Sequence, residues 1–343
     1  MTDRKRNVTL KDVSAASGVS LITVSRALRQ PDTVQKATRA KVMKAIEDIG
    51  YVPNLTARAL VSNRTDMIGV VVPILTSSLF ADFAQGVAAV LTGRHVQMLL
   101  GVSDRRVDLE AEAVRTIVAR QADAIIVTGF THSDGCRRLL ETFDGPVVET
   151  WNTRRTPVDL AVGYDNFGAA AEMTRYLISR GYREIAMVGG AFENNDQAVD
   201  RHAGFLSAMA EAGRSVRDGF VVSVPNPTTM DSGAAAMLRL MDGPVKPDAV
   251  FFQAEIPAHG AVMACMSRGI SMPDDVAIAG FGDLSLSALL PVPLTTVRIR
   301  AREIGERSAR MVLDRLTGRD GSARDRAGRV EDVGYDLMIR KSA

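Results

Sequence analysis

The sequence predicts an α/β protein in which a helix-turn-helix head is joined to a core of two Rossmann-like lobes. Three observations predict it. The first 66 residues carry 12 Lys/Arg against 6 Asp/Glu, while the rest of the chain carries the remaining 30 and 34, so a head of net +6 is joined to a body of net −4. Two short, cappable helices separated by a glycine open the chain. From residue 67 onward, short β-branched runs alternate with helical stretches, the pattern of an open parallel sheet.

Composition sets the outer limits. A chain of 343 residues is long enough for roughly two domains at about 150 residues each, with an appendage. At 46% hydrophobic and 24% charged it is too apolar to stay disordered. The overall charge of +2 excludes a protein that coats nucleic acid along its whole length. Two cysteines, Cys136 and Cys265, make no disulfide framework, and the opening residues lack a secretory apolar segment. No run of about 18 apolar residues occurs, so neither a membrane span nor a membrane partner is expected. The expected location is the cytoplasm.

In the head, residues 8–29 read VTLKDVSAASGVSLITVSRALR. Thr9 caps a first helix, with Asp12 three residues on to reach back and Val8 and Val13 at staple spacing. Gly18 allows a sharp reversal. Ser20 caps a second helix, and Val19 with Val24 repeats the staple. Leu10, Val13, Val19, Val24 and Leu28 form the expected small core. In such a motif the N-terminal residues of the second helix enter the major groove. Arg26 can then read guanine, and Leu21 and Ile22 can contact thymine methyl groups. Thr9, Ser20, Thr23 and Ser25 are candidate phosphate contacts. The spacing also fits an ordinary helical hairpin with a solvated charged face.

A third helix follows, with Val42, Ile46 and Ile49 on one face, basic residues on the others, and Gly50 at its end. The runs VTLKDVSAASGVSLITVSRAL and TRAKVMKAIEDIGYVPNLTARAL together resemble the DNA-binding head and hinge of the LacI family of bacterial repressors. That resemblance implies a hinge helix over residues 53–61, which folds on operator DNA beside its dimer mate. Leu60 would wedge between base pairs, with Asn54 and Ala57 as minor-groove neighbours. An inserted leucine unstacks a base step and kinks the duplex. Leu60 can equally be a linker residue packed on the body. The domains expected are residues 1–52 (head), 53–66 (hinge and linker) and 67–343 (core).

In the body, strands are expected near 68–72, 96–101, 124–127, 147–149, 185–188, 249–252 and 276–280. Helices are expected near 80–93, 108–119, 167–180, 198–212, 232–241, 257–268 and 304–316. This is too much chain for one sheet, so two lobes are expected, with small ligands in the cleft at the carboxyl ends of the strands. The resemblance extends here through VGYDN (162–166), RGYREI (180–185), RHAGF (201–205), PDDVAI (273–278) and PLTTV (293–297). It implies a periplasmic-binding-protein-like core with three crossovers between lobes. Within the family, PVVE (146–149), DLAVGYDNF (159–167) and PILTSSLFADFAQGV (73–87) are most similar to the gluconate-operon repressors.

The resemblance also implies an effector site. Arg201 stands where the family holds sugar hydroxyls or a carboxylate, a task suited to a planar fork of donors; otherwise it is a surface ion pair. Ser77, Ser78 and Phe80 fall on a pocket-lining loop of the first lobe. Thr128 and Phe130 follow one strand end, Glu149, Trp151 and Asn152 the next, and Asp283 a later one. Trp151 offers a flat face to a sugar ring or packs in the lobe core. Three positions depart from the usual family pattern: Gly282 precedes Asp283, Ala254-Glu255 replace Asn-Asp, and Trp151 stands in place of an aspartate. Fewer acids facing the ligand, with Arg201 kept, fit an acidic effector such as an aldonate.

Nothing points to other chemistry. His95, His132, His202 and His259 show no metal-ligand spacing, and the chain has no Cys-x-x-Cys, phosphate loop or nucleophile elbow. The expectation is a non-enzymatic, cofactor-free regulator. It would be a homodimer that binds operator DNA and is released by a sugar or sugar-acid effector. The alternative is a sugar-binding or enzymatic α/β protein with an incidental helical head.

Overall fold

The computed structural model describes residues 8–52, 64–190, 193–224, 229–318 and 328–343. The chain divides into two compact units, Met1–Thr65 and Asp66–Ala343. Residues 53–63, which contain the hinge positions Asn54, Ala57 and Leu60, lie outside the described residues.

The first unit holds α1 (Leu10–Ser17), α2 (Leu21–Arg29) and α3 (Lys36–Ile49). The Asp12 carboxylate accepts from the Thr9 amide at 2.8 Å and the Thr9 hydroxyl at 2.7 Å, which ties the start of α1 together. Gly18 ends α1 with φ 67°, and Gly50 ends α3 with φ 64°, a left-handed conformation that residues with a Cβ resist. Ser20 caps α2 by accepting the Thr23 amide. Val13 and Val24 are fully buried, but Leu10, Val19 and Leu28 only pack against the rim. The centre is completed by Ala27, Val42, Ala45 and Tyr51, because two short helices cannot enclose a core without α3.

The second unit contains two six-stranded sheets. The first lobe is built from β1 (Met67–Val72), β2 (Gln97–Val102), β3 (Ala124–Thr128), β4 (Val147–Thr150), β5 (Leu160–Gly163) and β11 (Arg329–Asp332). Its strand order is β11-β5-β4-β3-β1-β2, all parallel. The second lobe holds β6 (Ile185–Gly190), β7 (Val221–Val224), β8 (Ala249–Phe252), β9 (Ala277–Gly282), β10 (Thr295–Ile299) and β12 (Tyr335–Met338). Its order is β12-β10-β9-β8-β6-β7, with only β12 antiparallel.

Helices cover both faces of each sheet, so the central strands are apolar on both faces. On β1, Ile68, Val70 and Val72 face one core while Val71 faces another; on β3, Ala124 and Ile126 oppose Ile125 and Val127 in the same way. The inner faces are covered in the first lobe by α4 (Ser78–Leu91) and α11 (Ala301–Thr317), and in the second by α7 (Asn166–Ser179) and α8 (Asp196–Glu211). One hydrophobic core runs through both lobes along this side. The outer faces carry α5 (Val107–Ala119) and α6 (Asp134–Glu141) on one lobe, and α9 (Met230–Met241) and α10 (Glu255–Ser267) on the other. The chain crosses between lobes three times: after β5, after β10 and between β11 and β12.

The expected elements form with their ends moved by less than a helical turn. Among the described residues, six α-helices and strands were not anticipated: α6, β5, β7, β10, β11 and β12. Three of these strands are sheet edges, where short polar sequences such as Arg329–Asp332 carry no burial pattern to read. Cys136 and Cys265 are both buried and unpaired. Among the described residues no helix is long and apolar enough to cross a membrane.

Candidate nucleic-acid interface and ligand cleft

The head presents one unusual surface. Capping by Ser20 starts α2 so that Val24, Ala27 and Leu28 turn inward while Leu21, Ile22 and Arg26 turn outward. Ile22 is 73% exposed and Leu21 is 41% exposed. With Thr9, Leu10, Lys11 and Ser25 they line a shallow apolar depression. Thr23 is half-buried and its hydroxyl lies 2.9 Å from that of Ser20. An isoleucine and a leucine at the leading edge of a helix gain nothing from water, so the surface suits a partner with apolar groups in a groove. Lys11 on this face was not anticipated, because a single lysine on a short helix carries no local signal of what it faces.

In the core, the second-lobe helix α8 begins against the strand ends of both lobes. Its Arg201 is fixed on three sides. Nε donates to Asn166 Oδ1, one terminal nitrogen to the Gln253 carbonyl, and the other to the Tyr164 hydroxyl, each at 2.8 Å. The guanidinium also lies 4.1 Å from the centroid of the Phe281 ring. Three of its five N–H groups are thus engaged, all by neutral acceptors. Tyr164 is fully buried, and burial holds its phenol above the ordinary range, so it stays neutral beside the cation.

Two acids of α8 join the lobes. Asp196 accepts from the Phe130 amide at 3.2 Å and the Asn152 side chain at 2.7 Å. Asn152 also donates to Asp200 at 2.7 Å, and Asp200 pairs with Arg155 at 2.8 Å. Thr128, at the end of β3, donates to the Val71 carbonyl at 3.1 Å and lines the cleft opposite Asp196 and Gln197. The structure therefore brings Thr128, Phe130, Asn152 and Arg201 to the junction of the lobes. The bridging acids and the Tyr164–Asn166–Gln253 cradle were not anticipated. Only VGYDN gave a sequence signal for them, through its helix-capping Asp-Asn.

The other expected residues are placed differently. Trp151 is 1% exposed, with its ring centroid 4.8 Å from that of Phe80 and 5.7 Å from that of Phe83. Its backbone sits at φ 75°, a strained conformation for a tryptophan. Ser77 is buried at the start of α4. Ser78 and Asp283 line a separate groove along α4 and α11, and Asp283 is held by Arg298 and Arg340, each at 2.7 Å. Glu149 turns to the outer face of its sheet, where it accepts from His132 Nε2 at 3.2 Å and from the Val158 amide. Glu110 meets the other ring nitrogen of His132, and the Cys136 thiol donates to Glu110 at 3.4 Å. Burial disfavours charge on His132, but its hydrogen bonds to Glu110 and Glu149 outweigh this and raise its pKa to about 9. In the second lobe Glu255 is buried beneath Gly280 and Gly282 and bonded by Ser287 and Thr296. Burial raises its pKa to about 7.

Residues 9–54 match the family described as bacterial regulatory proteins, lacI family, and residues 174–343 match the periplasmic binding protein-like domain. The chain is 31% identical over 315 residues to the HTH-type transcriptional regulator GntR of Escherichia coli K12, covering 92% of this chain and 94% of that one. A solved LacI-family transcriptional regulator from Silicibacter pomeroyi superposes with a TM-score of 0.87 at 29% identity, covering 98% of this chain and 99% of that one. The transcription regulator GntR of Chromobacterium violaceum does so with a TM-score of 0.73 at 31% identity, covering 80% and 98%.

Proposed function

The chain belongs to the LacI family of bacterial regulatory proteins, and from that premise we propose that it is a cytoplasmic, dimeric repressor released from its operator by a gluconate-like sugar acid. The observation that carries the DNA-binding part is the exposed Leu21–Ile22 edge of a capped recognition helix in a head of net positive charge. Arg26 reads a base edge, Leu21 and Ile22 pack on thymine methyl groups, and Thr9, Ser20, Thr23 and Ser25 position the head on phosphates. Leu60, with Asn54 and Ala57, acts in the minor groove between two such heads, as the family resemblance implies.

The cleft carries the sensing part. Arg201 is oriented with two donors to spare, and Asn152 and Phe130 meet the α8 acids across the lobe junction, with Thr128 lining the same cleft. A ligand bound here changes how the lobes meet, and that change biases the paired hinge segments. Effector and operator affinities are then linked by one coupling free energy. The sugar-acid assignment rests on the resemblance to gluconate-operon repressors and on the GntR relatives. No nucleophile–base pair accompanies the cleft among the described residues, so the reading is a sensor and not an enzyme.

The test is fluorescence anisotropy with the promoter DNA upstream of the gene and of its neighbours. Binding to one promoter at least 100-fold tighter than to random DNA, reversed by D-gluconate or a related acid, is the expected result. Equal affinity for all sequences overturns the repressor reading, and tight operator binding unmoved by any sugar acid overturns the effector assignment.

A further inference from the structure

The first lobe assembles a cluster of unlike side chains that neither DNA binding nor effector sensing uses. Three elements supply it: Glu110 from α5, His132 from the turn after β3, and Cys136 from the first turn of α6. A carboxylate oxygen, a ring nitrogen and the sulfur of these three lie within 4.8 Å of one another. His132 and Cys136 stand four apart in the chain, but Glu110 joins from 22 residues earlier, so no spacing in the sequence announces the set. Cys136 belongs to the apolar cluster of the outer face with Val114, Val127 and Leu140. The side chains of His132 and Glu110 are buried beside it.

The hydrogens of the cluster converge on one atom. Glu110 Oε1 accepts from His132 Nδ1 and from the Cys136 thiol, the latter at 3.4 Å. With a carboxylate at each ring nitrogen, the imidazole carries a proton on both. Two protons are therefore directed at a single buried oxygen, at a point where three different donor atoms meet.

Two further features match what a metal ion needs. Glu149 accepts from Nε2 at 3.2 Å and is itself held by the Val158 amide, which turns Nδ1 toward Glu110 and Cys136. A carboxylate behind a histidine fixes the ring and raises the basicity of its ligating nitrogen. The Cys136 amide donates to the capping Ser133 hydroxyl at 3.2 Å, which sets the sulfur in the first turn of α6, where the helix dipole favours a thiolate.

We propose that Glu110, Nδ1 of His132 and Cys136 form a binding site for one divalent cation of the zinc type, with Glu149 as the orienting partner of His132. The donor set selects the ion: thiolate and imidazole together suit zinc, whereas magnesium and calcium take oxygen ligands. Ligands of a tetrahedral zinc ion stand about 3.3–3.8 Å apart, so side-chain shifts of about an ångström close the three donors round it as the Glu110–His132 hydrogen bond opens. The ion brings in two positive charges, and two protons leave to solvent, one from the thiol and one from Nδ1. The charge enclosed in the lobe is thus unchanged, which keeps the desolvation cost of the exchange low. Glu110 also lines the cleft beside Thr128 and Thr131, which gives the ion a path in and leaves a fourth position for water. Arg105 and Arg106 stand at the same opening, so the attraction comes from the two carboxylates and the thiolate and not from the rim. The bound ion ties α5, the turn after β3 and α6 together.

The test uses full-length protein freed of metal with a chelator and then titrated with zinc chloride or with cobalt(II) chloride as a spectroscopic probe. Wild type, Cys136→Ala, Cys265→Ala and Glu149→Gln are compared. Wild type should bind one zinc ion per chain with a Kd of about 10 µM or tighter. Cobalt should produce thiolate charge-transfer absorption together with the visible bands of tetrahedral coordination. Zinc at about 100 times Kd should raise the melting temperature by about 5 °C or more. Cys136→Ala should lose the charge-transfer absorption. Cys265→Ala should keep it in full, since Cys136 is then the only thiol in the chain, and this variant decides the matter if Cys136→Ala does not fold. Glu149→Gln should weaken zinc binding about 10- to 100-fold while keeping the absorption at saturation. Zinc binding weaker than about 10 µM overturns the proposal, as does cobalt bound without thiolate absorption. Absorption that survives in Cys136→Ala or vanishes in Cys265→Ala overturns it too. Unchanged zinc affinity in Glu149→Gln overturns the orienting role of Glu149.

Discussion

Arg201 is held in place by its own surroundings, because Asn166, Tyr164 and the Gln253 carbonyl each fix one part of its planar fork. A group held in this way loses little entropy on binding. Arg201→Ala is therefore expected to remove effector-driven release, so that gluconate-like acids no longer lower the anisotropy of operator DNA; normal release would remove Arg201 from the site. Its place in RHAGF singled it out in the sequence through the family resemblance. Asp196 and Asp200 were not, because an acid in the first turns of a helix looks like ordinary dipole compensation until its partner across a domain junction is known. His132 makes the same point. Alone in sequence it is a polar loop residue, but the fold sets it between Glu110 and Glu149, with Cys136 on the same carboxylate and Arg115 nearby. Its folded pKa of about 9 lies above the ordinary 6.5. The stability it contributes is therefore fully present below pH 6.5 and is lost as pH rises toward 9, where the folded state also releases the proton. Glu255, raised to about 7, adds loss of the same sign from about pH 4.5 upward. Thermal melts should show the core's melting temperature falling between pH 6.5 and 9, and His132→Gln should flatten that part of the profile. A core as stable at pH 9 as at pH 6.5 in the wild type would contradict this account.

At the scale of elements, the head is the most legible part of the chain because its signals are local. The caps at Thr9 and Ser20, the staples of Val8 with Val13 and Val19 with Val24, and the reversal at Gly18 all act within a few residues. A Cβ at Gly18 would meet no atom within 4 Å, so the only obstacle to a side chain there is φ 67°. Gly18→Ala is expected to cost about 1 kcal/mol from backbone strain, read as a lower denaturant midpoint for loss of head helicity. An unchanged midpoint would mean the turn relaxes without cost. The strands missed in the core illustrate the opposite case. β11 and β12 are placed by pairing with β5 and β10, partners more than 30 residues away, and their own sequences carry too little apolar pattern to announce them. The helix α6 is only eight residues long, and its two leucines gain a core only once β3 and α5 are beside it.

For the whole molecule, the separation of charge between head and body governs the expected behaviour. A head of net +6 that contacts operator phosphates releases counter-ions, so affinity should fall by about 10³- to 10⁵-fold between about 50 and 200 mM salt if a dimer makes six to ten such contacts. A pseudo-palindromic site should bind one dimer, seen as a 2:1 protein-to-duplex mass by light scattering; a 1:1 complex of undiminished affinity would exclude the dimeric reader. The helix-turn-helix, the parallel α/β lobes and the direction of the charge asymmetry follow from the sequence alone, because caps, periodicity and composition act over short spans of chain. Which polar groups meet at the cleft depends on the folded arrangement of both lobes. It buries Trp151 against Phe80, turns Glu149 away to His132, ties Asn152 to Asp196, and fixes Arg201 with Asn166, Tyr164 and the Gln253 carbonyl. Those pairings join residues tens of positions apart, and their energies depend on desolvation and distance, which no local pattern records.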